Sequence, residues 1–282
     1  MKVTWESADA YELYMGRWSR LVAVQFLEWL DPADGLKWLD VGIGTGTLSD
    51  LILNKYKPAE LYAIDQSESF IKTAQMRLRK DIQLQVGNAM DLPIDDDAVN
   101  ITVSGLLLNL PPEPELALKE MVRVTANNGT IAAYVWDYSG GMEMLNYFWE
   151  AAVELNLMAD LMHEGKRYDH CDKPALKQLF VDAGMTDIAV TSIEIIQQFA
   201  DFDQFWDPFQ AGQGTAPTYL LSQKESEQTA LRDLVKTHLP IAEDGSIKLR
   251  ARAWAIKGVV TKLAKEEPEA ERAPADEGGS DD

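Results

Sequence analysis

The chain has 282 residues, with 26 Lys and Arg against 46 Asp and Glu, and a formal net charge of −20. A content of 46% hydrophobic residues supplies enough apolar material for a buried core and excludes global disorder. The negative balance disfavours gripping a phosphate backbone, so no nucleic acid partner is expected, and the single cysteine, Cys171, excludes an intrachain disulfide framework and a multi-cysteine zinc site.

With three histidines, no metal centre is expected. The opening Met1-Lys2-Val3-Thr4-Trp5-Glu6 lacks a basic stretch followed by an apolar run, and no run of about 18 apolar residues occurs. The expected protein is therefore cytoplasmic, with no membrane partner.

In chain order, apolar residues recur at helical spacing from Ala10 to Leu30, which predicts an amphipathic helix broken at Gly16 and stopping at Asp31-Pro32. Strands are predicted at Leu36–Val41, Leu61–Ile64, Ile82–Val86, Ala98–Val103 and Thr130–Val135. Helices are predicted between them at Thr47–Lys55, at Ser67–Arg79 with Ser67 as cap, and at Pro112–Val124. Near-continuous apolar strands alternating with helices point to a parallel sheet covered on both faces.

After Trp136 the rhythm changes. Helices are expected at Met142–Leu157, Lys173–Ala183 and Ser222–His238, with an aromatic-dense stretch at Phe199–Phe209. Alternation predicts strands at Ile188–Ile196 and Ile247–Trp254, the latter antiparallel to its neighbour. From residue 265 onward no apolar residue larger than alanine occurs, and a disordered acidic tail is expected. The expected organisation is an N-terminal helical lid over 1–35, a main domain over 36–264 with cap elements within about 139–240, and the tail over 265–282.

The most informative stretch is Asp40-Val41-Gly42-Ile43-Gly44-Thr45-Gly46, between a strand and a helix. Glycines there permit a tight turn and let backbone amides approach a ligand. A dinucleotide loop needs a further glycine where Thr47 stands, which weakens a diphosphate reading. Asp65 ends the next strand, within the roughly 20-residue interval at which a carboxylate meets ribose hydroxyls in such folds. Asn88, after the third strand, offers a donor and an acceptor to an adenine edge, or serves as a turn residue.

These segments resemble the class I S-adenosylmethionine-dependent methyltransferases of the small-molecule type. The resemblance rests on the glycine segment, Ile64-Asp65-Gln66-Ser67, Gly87-Asn88-Ala89-Met90-Asp91-Leu92-Pro93, Ser104 to Asn109, and the helix carrying Glu120 to Val124. It implies a Rossmann-like, doubly wound seven-stranded sheet, mostly parallel with one antiparallel strand, bearing helical lid and cap insertions. It further implies S-adenosylmethionine as cofactor, its methionine part held by Asp40 and the backbone of Gly42, Gly44 and Gly46. Asp65 would take the ribose, Gln66, Asn88 and Ala89 would border the adenine, and Ser104 to Leu106 would face the cofactor's amino group. Tyr11, Tyr14 and Arg17 resemble a lid, with Arg17 set to pair with the cofactor carboxylate.

Methyl transfer needs in-line placement and exclusion of water more than a strong acid. Where the acceptor must lose a proton, Asp137 and Tyr138, just beyond the fifth strand, are the candidate catalytic groups, with His170 behind them. Trp136, Tyr138, Phe148, Trp149, Phe202, Trp206 and Phe209 each read singly as core, and as a group as an apolar cover over a small, moderately hydrophobic acceptor methylated at O, N or C. A non-catalytic cofactor-binding module serving a protein partner, and an NAD-dependent oxidoreductase, are the alternatives.

Overall fold

The computed structural model describes residues 8–78, 82–168 and 171–262. Arg79, His170 and the 265–282 tail lie outside them. The chain opens with α1 (Ala8–Tyr11), one π-helical turn (Glu12–Gly16) and α2 (Arg17–Leu30). The irregularity expected at Gly16 is thus a widened turn within one continuous helical path. A side chain at Gly16 would collide with the Glu12 carboxylate at 2.6 Å, so the glycine makes room for that carboxylate. Asp31, in the left-handed region at φ 47°, ends α2 where the sequence placed its stop.

The alternating core follows as β1 (Lys37–Val41), α3 (Thr47–Lys55), β2 (Glu60–Asp65), α4 (Glu68–Arg77), β3 (Gln83–Val86), β4 (Val99–Gly105), α5 (Pro114–Val124) and β5 (Thr125–Trp136). Ser67 caps α4 as predicted, accepting from the Phe70 amide. The second half adds α6 (Glu143–Leu155), a 3-10 turn (Leu157–Met162), α7 (Glu164–Arg167), α8 (Lys173–Asp182) and β6 (Thr186–Phe199). It closes with α9 (Phe202–Trp206), a second 3-10 turn (Asp207–Ala211), α10 (Thr215–Ser222), α11 (Glu225–His238) and β7 (Ile247–Val259).

The seven strands form one sheet in the order β3-β2-β1-β4-β5-β7-β6. The pairs among β1 to β5 are parallel, and β7 runs antiparallel to both β5 and β6. This is the expected fold. Strand order reverses between β1 and β4, and ligands of open α/β sheets bind at such a switch, outside the carboxyl ends of the strands.

Several expected boundaries shift: β5 begins at Thr125 rather than Thr130, and β6 extends past the expected 188–196 at both ends. β7 runs five residues beyond Trp254, because it is an interior strand with Ala255 and Ile256 both buried, which ends the alternation read from sequence. α10 was not foreseen; Pro217 lies in its first turn, where a missing N–H costs nothing.

The aromatic stretch packs as core. Phe148 stacks on Phe209 at 4.7 Å and 9°, and Trp149, Trp206, Phe205 and Phe202 pack around them, all at most 5% exposed. These rings form one buried aromatic interior. Their burial fixes α6, α9 and α10 as one layer above the sheet.

Candidate active site

At the tip of β1 the chain turns through Gly42 (φ 79°), Gly44 (φ 54°) and Gly46 (φ 89°), the left-handed conformations for which glycine was read. The amides of Gly42 and Ile43 both donate to the Ile64 carbonyl, which clamps the loop to the end of β2. From that end Asp65 reaches back. One oxygen accepts from the Gly44 amide and the other from the Ser67 amide, each at 2.9 Å. Burial raises the Asp65 pKa, and these backbone donors pull it down. The glycine loop and the carboxylate therefore form one bonded unit. A Cβ at Gly44 would meet nothing within 4 Å, so the loop backbone is approachable there.

Asp40 lies beneath the loop and is 1% exposed. One oxygen accepts from the Ser49 hydroxyl at 2.7 Å, and the other, Oδ1, has no hydrogen-bond partner. Burial pushes this carboxyl up to about 7; Ser49 opposes the shift and the Asp65 charge reinforces it. An orphaned carboxylate oxygen is costly in a buried place. A positively charged or N–H-bearing ligand would relieve it.

The other expected residues fall into distinct settings. Gln66 is exposed beside Asp65, and Ala89 is half-buried. Asn88 spends its side-chain oxygen on the Met90 amide at 3.0 Å, so it shapes its own turn. Ser104 is fully buried and donates to the Val41 carbonyl at 2.9 Å, fastening β4 to β1. Leu106 sits at φ 59°, a conformation that costs a non-glycine residue about 1–2 kcal/mol. Its amide is held by the Tyr134 carbonyl at 2.8 Å.

The N-terminal helical segment packs against this loop. Glu12 accepts from the Thr45 hydroxyl and, at 3.3 Å, from Arg77, while the Tyr11 ring stands edge-on to Phe70 at 5.9 Å. The Tyr11 hydroxyl is pushed up to about 12, first by burial; a hydrogen bond with Ser19 opposes this, and the Glu12 and Asp65 charges add to it. Tyr14 is 2% exposed and its hydroxyl has no partner. Arg17 lays its guanidinium over Trp18 at 4.3 Å and Phe199 at 5.2 Å, with Nε and Nη2 unpartnered.

Asp137 is 1% exposed, but both oxygens are spent. Oδ2 accepts from Arg252 Nε at 2.7 Å and Nη2 at 2.6 Å, and Oδ1 accepts from the Ser139 hydroxyl at 2.6 Å. That arrangement suits a strut between β7 and the loop after β5, not the base expected from its position. Tyr138 stays near the site, its ring 5.0 Å from Tyr168, with burial pushing its hydroxyl well up.

Sequence reasoning missed Glu164. It is 4% exposed, accepts from Trp149 Nε1 and, at 3.3 Å, from the Ala216 amide, and burial pushes its carboxyl up to about 7. A four-residue helix shows no periodicity, so nothing in the sequence set this glutamate apart.

Residues 39–133 match the methyltransferase domain family described as "Methyltransferase domain". The segment runs from the first strand through the glycine loop and Asp65 to the fifth strand. The core from β1 to β5 is thus similar to a methyltransferase domain. Among curated proteins, it is 29% identical over 168 residues to the malonyl-[acyl-carrier protein] O-methyltransferase of Halorhodospira halophila, covering 58% of this chain and 55% of that protein. It is 34% identical over 117 residues to the demethylmenaquinone methyltransferase of Paenarthrobacter aurescens, covering 41% and 43%.

The chain thus spans about half the length of these relatives. In fold, the chain is similar to the phosphoethanolamine N-methyltransferase 2 of Haemonchus contortus, solved with S-adenosyl-L-methionine. The TM-score is 0.55 at 14% identity, covering 91% of this chain and 57% of that one. The family match ends before Asp137, so α6 to β7, with Glu164, lie outside it. Among the described residues, no helix is long and apolar enough to cross a membrane.

Proposed function

We propose that the protein transfers the methyl group of S-adenosylmethionine to a small, moderately hydrophobic acceptor. The observation that carries this reading is the bonded unit of glycine loop and Asp65 at the β1–β4 switch, lying above a buried Asp40 with an orphaned oxygen. In this reading Asp65 accepts from the ribose hydroxyls with lone pairs left over from Gly44 and Ser67. Asp40 and the backbone of Gly42, Gly44 and Gly46 hold the methionine part, with Ser104 and Leu106 contributing backbone groups. Gln66, Asn88 and Ala89 border the adenine. Tyr11 and Tyr14 close over the sulfonium, and Arg17, whose donors lack a protein partner, takes a ligand carboxylate.

The bound cofactor supplies a methyl carbon made electrophilic by the neighbouring positive sulfur. The protein's own contribution is alignment and a dry roof, formed by the lid helix and the aromatic interior of the cap. The same floor is the ground for the dinucleotide alternative, but Thr47 occupies the place of its third glycine. The test is calorimetric titration with S-adenosylmethionine, S-adenosylhomocysteine and NAD. Saturable binding of the first two and none of the third is expected. NAD binding without either of the others would overturn the proposal.

A further inference from the structure

Arg17 and Ser19 point to opposite sides of α2, because two residues turn an α-helix through about 200°. Ser19 faces the tip of β4. Its hydroxyl lies 3.3 Å from the Tyr134 hydroxyl, and that oxygen stands 2.5 Å from where a Cβ on Gly105 would be. Arg17 therefore faces away from the β1 and β4 tips, where Asp40 and the glycine loop lie. Its guanidinium packs instead on the ring of Trp18, at 4.3 Å, and on that of Phe199, the last residue of β6, at 5.2 Å. In the sheet order β6 stands four strands from β1, roughly 19 Å at about 4.8 Å per strand.

The atoms of Arg17 that lack a hydrogen-bond partner are Nε and Nη2, both buried. Their N–H groups point the same way and form the side-on fork of the guanidinium, which matches the two oxygens of a carboxylate. The chain uses this same pair twice elsewhere. Arg123 grips Glu120 with Nε at 2.8 Å and Nη2 at 2.7 Å, and Arg252 grips Asp137 with Nε at 2.7 Å and Nη2 at 2.6 Å. Among the described residues, no carboxylate meets the Arg17 fork. A second orphan lies on the same inner face of β6: Gln197, fully buried two residues before Phe199, has no partner for Oε1. Buried polar groups left unmet are costly, and a ligand bringing oxygens to the fork and a hydroxyl or N–H to Gln197 would satisfy both.

We infer that the methyl acceptor carries a carboxylate, and that the Arg17 fork holds it against Trp18 and Phe199, on the side of α2 away from the cofactor's amino-acid end; this rests on the methyltransferase reading above. Tyr14, three residues earlier, turns its ring toward Phe209 at 5.8 Å. The anchor for the acid group thus lies about one helical turn from a residue proposed to close over the sulfonium, and a small acceptor fixed at one end has its reacting atom placed at the other. The surrounding rings exclude water and strengthen the ion pair. A neutral analogue would leave both N–H groups buried and unmet, so the site selects acids over their uncharged counterparts.

The test compares the full-length chain with Arg17→Met, whose unbranched side chain keeps the packing on Trp18 and Phe199. Calorimetry with S-adenosylhomocysteine and with 5′-methylthioadenosine, which lacks the amino-acid end, is expected to give the same affinity ratio in both proteins. With S-adenosylhomocysteine bound, benzoate, phenylacetate and hexanoate are each compared with the corresponding amide. At least one acid is expected to bind about tenfold more tightly than its amide in the wild-type protein, and to lose that preference in Arg17→Met. A fall in the first ratio would assign Arg17 to the cofactor carboxylate and overturn the inference. Absence of any acid-over-amide preference, or its survival in Arg17→Met, overturns it as well. Should that variant fail to fold, Arg17→Lys keeps the charge without the fork and is expected to weaken the preference; an unchanged one contradicts the inference. Failure of the wild-type chain to bind S-adenosylhomocysteine would instead overturn the methyltransferase reading itself.

Discussion

Replacing Asp65 with alanine removes two things at once: the acceptor that fixes the Gly44 amide at 2.9 Å and the carboxylate proposed to hold the ribose. Each lost bond to a charged acceptor is worth about 1.5–3 kcal/mol. The Gly44 contact is present with or without ligand, so its loss loosens the loop rather than subtracting from binding directly. The ribose bonds exist only in the complex. Counting the two ribose bonds alone at their lower value, about 3 kcal/mol together, dissociation constants for S-adenosylhomocysteine should rise about 100-fold or more. Titration calorimetry of the two proteins side by side measures this, with circular dichroism to show that the variant is folded. Asp65→Asn separates the two contributions, since it keeps one acceptor for the loop while placing a donor toward the ligand. Wild-type affinity in a folded Asp65→Ala protein would refute the placement of the ribose.

The lid contact of Glu12 with Thr45 and Arg77 is half-exposed, so its loss is worth at most about 1 kcal/mol; Glu12→Ala should speed S-adenosylhomocysteine release by up to about fivefold in stopped-flow displacement. Unchanged release would mean that the lid opens without breaking that contact. Asp137→Asn should destabilise the fold by about 3 kcal/mol, read from denaturant midpoints, because it leaves the Arg252 fork without its charge. A stable but inactive variant would restore Asp137 as a catalytic group. For pH, burial raises the folded-state pKa of Asp40 above its unfolded value, so the folded state binds a proton that the unfolded state has already lost. Stability of the ligand-free protein contributed by this group therefore falls as pH rises from about 4 to about 7 and then levels; the fall should be shallower in Asp40→Asn, and equal slopes would show that Asp40 ionises freely in the folded protein.

The parts of the site that were legible in the sequence are those built locally. Gly42, Gly44 and Gly46 lie within one turn, and Asp65, two residues before Ser67, could be placed because strand, carboxylate and helix cap follow one another. The strand and helix pattern up to Trp136 was legible for the same reason, each element announcing itself by its own period. What escaped is non-local. Asp137 looks like a base until Arg252, on a strand 115 residues away, arrives to occupy it. The aromatic stripe of Phe148, Phe202, Trp206 and Phe209 reads equally as ligand wall or interior, and only the packing of α6 against α9 decides between them. Glu164 gains its character entirely from burial among residues drawn from four segments, so no window of sequence contains it.

The most direct measurement is a crystal structure of the protein with S-adenosylhomocysteine. The account predicts both ribose hydroxyls within hydrogen-bond distance of Asp65, the amino end of the ligand near Asp40, and the sulfur turned toward Tyr11 and Tyr14. Electron density for the sugar at any other strand tip, or a diphosphate cradled by Gly42 to Gly46, would contradict it.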